Sequence, residues 1–330
     1  MTETMKAVLC HQHGPVQDLK AGVTSTPVAG PGQVRIRVSA CGINFPDLLL
    51  VEGKYQDKPP LPFIPGGEVA GVIDQLGPGV NDVHIGQPVM ATTFLGGLAE
   101  YVVAKTRDID HLPRGMSMET AAAFPGVYGT SYHALAQRAQ LRPGETLLVL
   151  GAAGGTGIAA VQIGKAMGAR VLAAASTDDK LEFLTANGAD AVINYTTTNL
   201  RDSVKALTNQ RGADVIFDPV GGDLFEQATR CINWNGRILV VGFASGTILR
   251  FPVNLALLKG CAIVGVYYGR FREEEPAEAT RNMAALCELF RSGKVAPPIH
   301  RVFSLDQASM ALTCLENRAV MGKVIVTMTG

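Results

Sequence analysis

Short apolar runs separated by Gly and Pro make up residues 5–105. The runs MKAVLC, QVRIRVSA, EVAGVIDQLG, QPVMAT and LAEYVVAK have the length and composition of strands, and helical periodicity is almost absent among them. This pattern predicts an all-β domain with a compact, barrel-like fold. Residues 117–140 are more helical in pattern, with an interruption at FPGVYG.

A different rhythm begins at Glu145, where strand-like runs alternate with helical segments. The strand-like runs are TLLVLG, RVLAAA, AVINY, DVIFDPVG, RILVVGF and AIVGVYYG. Six strands with helices between them predict a parallel, doubly wound sheet. The tail, with RVFSL, a helix and GKVIVTM, is β-like again. We therefore expect domains over residues 1–126 and 127–267, with residues 268–330 returning to the first domain.

Length and composition place the chain among globular proteins. Its 330 residues are enough for about two domains, and 47% of them are hydrophobic while 18% are charged. The net charge is zero without a long basic run, so we expect neither nucleic acid nor a membrane as a partner. The start, MTETMKAVLC, lacks the features of a secretion signal, so we expect a cytoplasmic protein.

One uncharged stretch, TLLVLGAAGGTGIAAVQIG between Glu145 and Lys165, is close to the length of a membrane span. Its first half is β-like and its second half is a small-residue helix, so it predicts a strand, a turn and a helix. The six cysteines, at positions 10, 41, 231, 261, 287 and 314, include no Cys-x-x-Cys pair. We expect them to be reduced thiols in the core.

A Gly cluster, LGAAGGTG, lies between the first strand and the first helix of the alternating region. A turn this tight needs residues without a Cβ, and it brings backbone N–H groups and a helix N-terminus close to a phosphate. In this context the motif predicts a dinucleotide-binding turn. The candidate cofactor-binding residues in the turn are Gly151, Ala153, Gly154, Gly155, Thr156 and Gly157.

The end of the next strand indicates which dinucleotide is bound. NAD-binding sheets usually present Asp or Glu there to hold the ribose 2′-hydroxyl, whereas this strand ends at Ser176, with Lys180 four residues later. A cation in place of a carboxylate suits a 2′-phosphate. We therefore predict NADPH, with Tyr195 at the end of the third strand as a further contact. The acids at positions 178–179 argue for NADH, but with Thr177 as a cap they could simply stabilise the first helical turn.

The motifs GINFPD, PGGEVAG, GLAEYV, GTSYHAL, GAAGGTG, INY, DPVGG, VVGF and GKVIV follow one another along essentially the whole chain. In this order they resemble the zinc-independent quinone oxidoreductase (zeta-crystallin-like) group of the medium-chain dehydrogenase/reductase superfamily. The resemblance implies an α/β protein with a GroES-like β-barrel catalytic domain and a Rossmann NADP(H)-binding domain. It also implies NADPH-dependent reduction of quinones or of α,β-unsaturated carbonyl compounds.

Zinc-dependent members of that superfamily have metal ligands at three positions where this sequence differs. The first Cys ligand corresponds to Asn44, the His of a Gly-His-Glu triplet to Gly67, and a second Cys to a position near Gly126. Cys41 is out of register and is expected to face the core. The lobe of four cysteines that binds structural zinc has no counterpart between Pro88 and Gly97. We therefore expect no metal.

The absence of zinc ligands favours reduction of a conjugated substrate, because conjugation spreads the developing negative charge without a Lewis acid. The resemblance assigns Asn44 and Asp47 to the floor of a cleft, although Asp47 could instead only brace a turn. Tyr55 matches a pocket tyrosine that can donate to a carbonyl, and a second such tyrosine is replaced by Leu49. Thr130 would face the nicotinamide.

The resemblance adds three cofactor contacts outside the turn. Gly242 and Phe243 would flank the nicotinamide, and Arg318 would lie near the 2′-phosphate. Two other functions stay open: reduction of a small enoyl- or acryloyl-CoA, and a non-catalytic NADP(H)-binding role as a redox sensor or structural protein. The apolar run AIVGVYYG, as the last strand of its sheet, favours a homodimer, as does the family resemblance.

Overall fold

The computed structural model describes residues 3–248 and 250–328. These fall into two compact units. The first unit contains the residues up to 126 together with those from 297 on, and the second contains residues 127–296. The chain thus leaves the first unit once, builds the second from a continuous segment, and then returns.

Strands dominate the first part of the chain. They are β1 (Thr4–Leu9), β2 (Lys20–Ser25), β3 (Gln33–Ile43), β4 (Glu68–Leu76), β5 (Pro88–Thr92), β6 (Tyr101–Lys105) and β7 (Ile109–His111). Three short helices accompany them: α1 (Phe45–Val51), α2 (Met118–Ala121) and α3 (Pro125–Tyr132), the last of which leads into the second unit. Single 3-10 turns lie at Val16–Asp18 and Thr106–Asp108.

Strands and helices alternate in the second unit, after a π-helix at His133–Arg138. In chain order they are β8 (Thr146–Val149), α4 (Gly155–Ala166), β9 (Arg170–Ala175), α5 (Asp178–Ala186), β10 (Ala191–Asn194), α6 (Leu200–Leu207), β11 (Ala213–Asp218), α7 (Gly222–Arg230), β12 (Ile232–Val240), α8 (Asn254–Lys259), β13 (Ala262–Gly265), α9 (Tyr268–Glu274) and α10 (Pro276–Arg291). The tail contains β14 (Ile299–Ser304), a 3-10 turn at Leu305–Gln307, α11 (Ala308–Glu316) and β15 (Lys323–Thr327).

The first unit is built on a mixed sheet with the strand order β14-β15-β3-β4-β5-β7, in which β6 also pairs with β3. Strand β3 places alternate residues such as Val34 and Ile36 in a continuous apolar core, as expected for a half-buried strand. Strand β15 runs antiparallel to β3, with Val326 opposite Cys41. The first unit is therefore β-rich, as predicted, and the tail supplies two of its strands.

The second unit contains six parallel strands in the order β10-β9-β8-β11-β12-β13, which confirms the predicted doubly wound sheet. The strand order reverses between β8 and β11, and ligands bind at the carboxyl ends of the strands at such a point. The uncharged stretch forms β8, the turn and α4, as predicted. No helix within residues 3–248 and 250–328 is long and apolar enough to cross a membrane.

The end of the second unit differs from two expectations. The run AIVGVYYG is not one strand, because β13 covers only its first four residues and α9 begins at Tyr268. Residues 268–296 also belong to the second unit and do not return to the first. The reason is side-chain packing, since Tyr268 fills the space that a side chain would need at Gly129. Beside it, the Phe271 ring stacks on His133 with centroids 3.8 Å apart.

Candidate active site

The Gly-rich turn connects β8 to α4 at the carboxyl edge of the parallel sheet. Gly151 has a φ of +54°, a left-handed conformation that favours Gly. Gly157 packs so closely on the turn that a Cβ there would lie 2.7 Å from the backbone of residue 152. At Gly154 the nearest atom to such a Cβ would be 3.5 Å away, so this side of the turn is open. The open side and the free N–H groups of the first turn of α4 form a cradle that fits a pyrophosphate.

Three of the residues predicted to select the nucleotide lie beyond the neighbouring strands. Ser176 follows β9 and Tyr195 follows β10, and the two strands run in parallel register up to their last residues. The two residues therefore lie side by side at the carboxyl edge of the sheet. Lys180 lies in the first turn of α5, which begins two residues after Ser176. All three side chains are partly exposed.

The acidic residues near this edge are explained in part by local structure. The Asp178 carboxylate accepts a hydrogen bond of 2.8 Å from the side-chain amide of Asn194, the last residue of β10. Asp178 therefore connects α5 to the sheet. Thr177 is the N-cap residue of α5, but its hydroxyl makes no capping hydrogen bond, so the expected side-chain cap is wrong.

Asp218 organises the loop that follows β11. It is 2% exposed, and its carboxylate accepts hydrogen bonds of 2.8 and 2.9 Å from the N–H groups of residues 220–221. Burial raises the pKa of Asp218, and these two donors lower it by less. In the loop after β12, the backbone N–H groups of Gly242, Ala244 and Ser245 donate to carbonyl oxygens of residues 218–220. Gly242 and Phe243 therefore lie beside the Asp218 loop, in the same unit as the Gly-rich turn.

Thr130 lies in α3, which is anchored to α4 by two hydrogen bonds. The Ser131 hydroxyl donates to the carbonyl oxygen of Thr156 at 2.8 Å, and the Tyr128 hydroxyl donates to the side-chain oxygen of Gln162 at 2.7 Å. Since Thr156 is in the first turn of α4, the first of these bonds keeps Thr130 close to the Gly-rich turn.

A buried cluster of charged and amide groups lies where β3 ends and where β4 and β15 begin. Lys323 is 2% exposed and Glu68 is 1% exposed, and their charged groups are 2.8 Å apart. The ammonium also donates to the amide oxygen of Asn44 at 2.7 Å and to the carbonyl oxygen of Ile43 at 3.2 Å, so its three hydrogens all have acceptors. Glu68 also accepts hydrogen bonds from the Asn44 amide at 2.9 Å and from the N–H of Gly126 at 2.7 Å. All three hydrogens of the ammonium and both oxygens of the carboxylate therefore have hydrogen-bond partners.

This cluster fixes the side chain of Asn44. Its oxygen accepts from Lys323 and its nitrogen donates to Glu68, which leaves one amide hydrogen near the carbonyl oxygen of Gly42 at 3.4 Å. Hydrogen bonds to charged groups are the stronger ones. Only the long contact to Gly42 could be exchanged for a substrate. The geometry therefore favours a positioning role for Asn44 at the cleft floor over direct donation of a hydrogen bond to a substrate.

Asp47 braces the same turn from the other side. It is 2% exposed, and its carboxylate accepts hydrogen bonds from the N–H groups of Asn44 at 2.8 Å and Gly66 at 3.1 Å. Burial raises the pKa of Asp47 to about 6, because the two N–H donors and Lys323 offset only part of the desolvation. These hydrogen bonds are those of a residue that braces the turn, one of the two roles considered for Asp47.

The positions that correspond to zinc ligands hold other groups. A Cβ on Gly67 would lie 3.0 Å from the carbonyl oxygen of Phe94, and one on Gly126 would lie 3.1 Å from the carboxyl group of Glu68. Cys41 is fully buried, as expected, and burial raises the pKa of its thiol. Within the described part of the chain, no three His, Cys, Asp or Glu side chains are grouped so that they could hold a metal ion.

The remaining predicted residues belong to the first unit. Tyr55 follows α1 and packs against the core of that unit, with its ring centroid 6.2 Å from that of Phe94. Arg318 follows α11 and has a φ of +53°. The structure thus places Asn44, Asp47, Tyr55 and Arg318 in the first unit. Thr130 and the other predicted cofactor contacts belong to the second.

Three residues of these sites have no assigned role in the sequence analysis: Glu68, Lys323 and Asp218. A signal was available for the first two, since each is a charged residue at the start of an otherwise apolar strand, in EVAGVI and KVIVT. Charged residues are almost never fully buried unless they are paired. The two residues are 255 positions apart, so no local sequence pattern predicts that they form a pair.

Known proteins resemble the chain over nearly its full length. The model of the alcohol dehydrogenase GroES-like domain matches residues 30–114, and that of the zinc-binding dehydrogenase domain matches residues 155–285. The quinone oxidoreductase-like protein 2 homolog of Nematostella vectensis is 40% identical over 330 residues, which cover 98% of this chain and 89% of that protein. The chain belongs to the quinone oxidoreductase group of the medium-chain dehydrogenase/reductase superfamily.

Other members of the quinone oxidoreductase group agree in sequence and in fold. The quinone oxidoreductase-like protein 2 of Rattus norvegicus is 37% identical over 337 residues, covering 98% of this chain and 96% of that protein. The crystal structure of Escherichia coli quinone oxidoreductase complexed with NADPH superposes with a TM-score of 0.91 at 27% identity, covering 98% of this chain and 99% of that one. These similarities confirm the predicted combination of a GroES-like domain with a Rossmann domain.

Proposed function

We propose that this member of the quinone oxidoreductase group is an NADPH-dependent, zinc-free reductase of quinones or of the C=C bond of α,β-unsaturated carbonyl compounds. The observation that carries the proposal is the position of the Lys323 ammonium. It donates hydrogen bonds to oxygen atoms of Asn44 and Glu68, and Asn44 is one of the positions that the family resemblance aligns with a zinc ligand. A metal ion there would be repelled by the ammonium and would lack thiolate and imidazole ligands.

The residues of the second unit support a nicotinamide dinucleotide with a 2′-phosphate. NADPH supplies a hydride when it is bound. The cradle of the Gly-rich turn would hold its pyrophosphate, and Lys180 would pair with the 2′-phosphate next to Ser176, where NAD-binding sheets present a carboxylate. The similarity to the Escherichia coli enzyme, whose structure contains NADPH, supports this cofactor. Thr130, held near the turn by α3, would orient the nicotinamide.

The residues of the first unit support a substrate whose oxygen is held by hydrogen bonds. Tyr55 would donate its hydroxyl to the carbonyl or quinone oxygen and stabilise the negative charge that develops there. Asn44, whose side chain is fixed by Lys323 and Glu68, would hold the turn between β3 and α1 in position beside the substrate. Conjugation in the substrate spreads the charge, so hydrogen bonds can suffice where a simple alcohol or aldehyde would need a Lewis acid.

The test is consumption of NADPH with a panel of quinones, enones, a short enoyl-CoA and, in the reverse direction with NADP⁺, simple alcohols. We expect turnover of quinones or enones by protein purified without added metal, with far less than one zinc per chain by elemental analysis. Stoichiometric zinc, or faster oxidation of alcohols than reduction of any conjugated substrate, would overturn the proposal. Cofactor binding without any turnover would instead indicate a sensor or structural role.

We further propose a homodimer formed through β13. This strand is at the edge of its sheet, and Ile263 on it is 38% exposed. Around it, Leu257 and Leu258 of α8 are 81% and 66% exposed, and Trp234, which packs on Gly260, is 65% exposed. An apolar edge of this kind pairs readily with a second copy across a two-fold axis.

Sedimentation at micromolar concentration tests the dimer. We expect Ile263→Lys to dissociate it, because the substitution places a charge on the edge strand. Val23→Lys, on the exposed strand β2 of the first unit, is the matched control and should leave the dimer intact. A wild-type protein that sediments as a monomer would refute the proposal, and so would equal dissociation by both substitutions.

A further inference from the structure

Phe94 has a backbone conformation that aromatic residues rarely adopt. Its φ is +68°, and the other non-glycine residues with positive φ in the described part of the chain are all polar. For a bulky side chain this conformation is an outlier that costs free energy, and such outliers occur where the surrounding structure enforces them. The chain has Gly at positions 96 and 97 but not at 94.

The surrounding backbone holds Phe94 in place from both sides. The N–H of Thr93 donates to the carbonyl oxygen of Gly67 at 2.9 Å, and the N–H of Gly96 donates to that of Ile64 at 2.8 Å. Between these two bonds, the Phe94 backbone packs so closely on Gly67 that a Cβ there would lie 3.2 Å from the Phe94 Cα. The direction of the side chain is therefore set by the fold.

The enforced direction leaves the ring partly open to solvent and next to a second ring. Phe94 is 44% exposed, and its ring centroid is 6.2 Å from that of Tyr55, with 42° between the ring planes. The Tyr55 ring packs against the core of the first unit. The Phe94 ring lies in the loop after β5 and is partly exposed.

The ring pair lies close to the buried cluster described above. Phe94 is two residues beyond Thr92, which is opposite Glu68 in the pairing of β4 with β5. Glu68 in turn binds the amide of Asn44 at 2.9 Å. The pairing of β5 with β4 therefore places Phe94 near Glu68 and Asn44, in the proposed reductase site of the first unit.

We propose that Phe94 and Tyr55 form a subsite for the flat ring of a cyclic conjugated substrate, and that Phe94 selects quinones and other ring compounds over short acyclic enones. This inference rests on the proposed reductase function and narrows its substrate class. Aromatic rings attract one another in offset or tilted arrangements, and an electron-poor ring such as a quinone suits the electron-rich faces of Tyr and Phe. An acyclic enone has no ring face to offer.

The test compares kcat/KM for 1,4-naphthoquinone and for methyl vinyl ketone, with NADPH, in wild type and in Phe94→Leu. The substitution keeps an apolar side chain at the same backbone position and removes the ring. We expect about a two- to tenfold loss of kcat/KM for the quinone and less than about a twofold change for the ketone. Phe94→Tyr, which keeps the ring, should retain the wild-type ratio of the two values.

A second variant tests the strain independently of activity. Phe94→Gly removes the conformational penalty together with the ring, so it should unfold at the same or a higher temperature than wild type and should lose the same preference. An unchanged ratio of the two kcat/KM values in both Phe94→Leu and Phe94→Gly would overturn the subsite. A parallel loss for both substrates would also do so. Failure of the wild type to reduce either compound would count against the proposed function itself.

Discussion

Replacement of Lys323 by Met tests whether the buried cluster stabilises the first unit. The Met side chain is close in length to that of Lys but carries no charge, so Glu68 would keep its burial at 1% exposure and lose its cation. Two hydrogen-bond donors to Glu68 would remain, the amide of Asn44 and the N–H of Gly126. Removing one partner of a buried ion pair costs about 3–5 kcal/mol. We expect a loss of unfolding free energy near the lower end of that range.

The double variant Lys323→Met with Glu68→Gln separates the ion pair from the burial of the groups. It removes both charges and leaves a neutral amide that can still accept from Gly126. Replacing both members of a buried pair by neutral groups is often close to neutral in stability. We therefore expect the double variant to be more stable than Lys323→Met alone. The coupling free energy of the cycle should be at least about 1 kcal/mol, as expected for residues in direct contact.

The matched control is Lys6→Met, because Lys6 pairs with Asp306 at 2.7 Å in the same unit but with side chains that are 45% and 64% exposed. Exposed pairs contribute about 0–1 kcal/mol, so this substitution should have little effect. Urea unfolding followed by far-ultraviolet circular dichroism, with hydrogen exchange of β15, is the appropriate assay. Fluorescence is unsuitable because the single Trp, Trp234, lies in the second unit. Equal effects of Lys323→Met and Lys6→Met would refute the reasoning.

Three further predictions concern the cofactor, the acidic turn and the proposed donor. Lys180→Ala should weaken NADPH binding roughly ten- to a hundredfold and leave NADH little changed, and equal losses in a titration would contradict the assigned role. Because the pKa of Asp47 rises from 3.8 to about 6 on folding, its contribution to the free energy of unfolding should fall as the pH rises from about 4 to 6, by at most about 3 kcal/mol. The urea midpoint of wild type relative to Asp47→Asn should fall over the same range, and a constant difference would contradict this. Tyr55→Phe should lower turnover about five- to a hundredfold with NADPH affinity intact, and unchanged turnover would exclude Tyr55 as the donor.

The second unit was predictable from the sequence because its signals are local. A buried strand, a Gly-rich turn and a small-residue helix follow one another within about twenty residues, and each has its own pattern. The same reasoning failed at AIVGVYYG, where an apolar run continues past the end of β13. There the contact of Tyr268 with Gly129 decides the structure, and it joins segments far apart in the sequence.

The candidate site of the first unit was predictable only in part. The motif GINFPD indicated a functional turn, and Asn44 and Asp47 do lie there. The partners that fix Asn44 come from other strands, and the sequence shows only that charged residues begin those strands. The φ of Phe94 has no sequence signal, since a Phe in a loop normally adopts negative φ. Its conformation follows from backbone hydrogen bonds to residues 64 and 67.

The place of β15 in the sheet has a consequence for how the protein is made. Residues 127–296 form a continuous segment that can fold while the ribosome is still adding the tail. The first unit has to wait, because β3 and β4 emerge early but Lys323, the cation for Glu68, is synthesised only after the whole of the second unit. Until then a nascent chain exposes an unpaired edge of β3 and an uncompensated carboxylate. A chaperone that covers this edge would serve this protein most during the interval between the synthesis of Glu68 and that of β15.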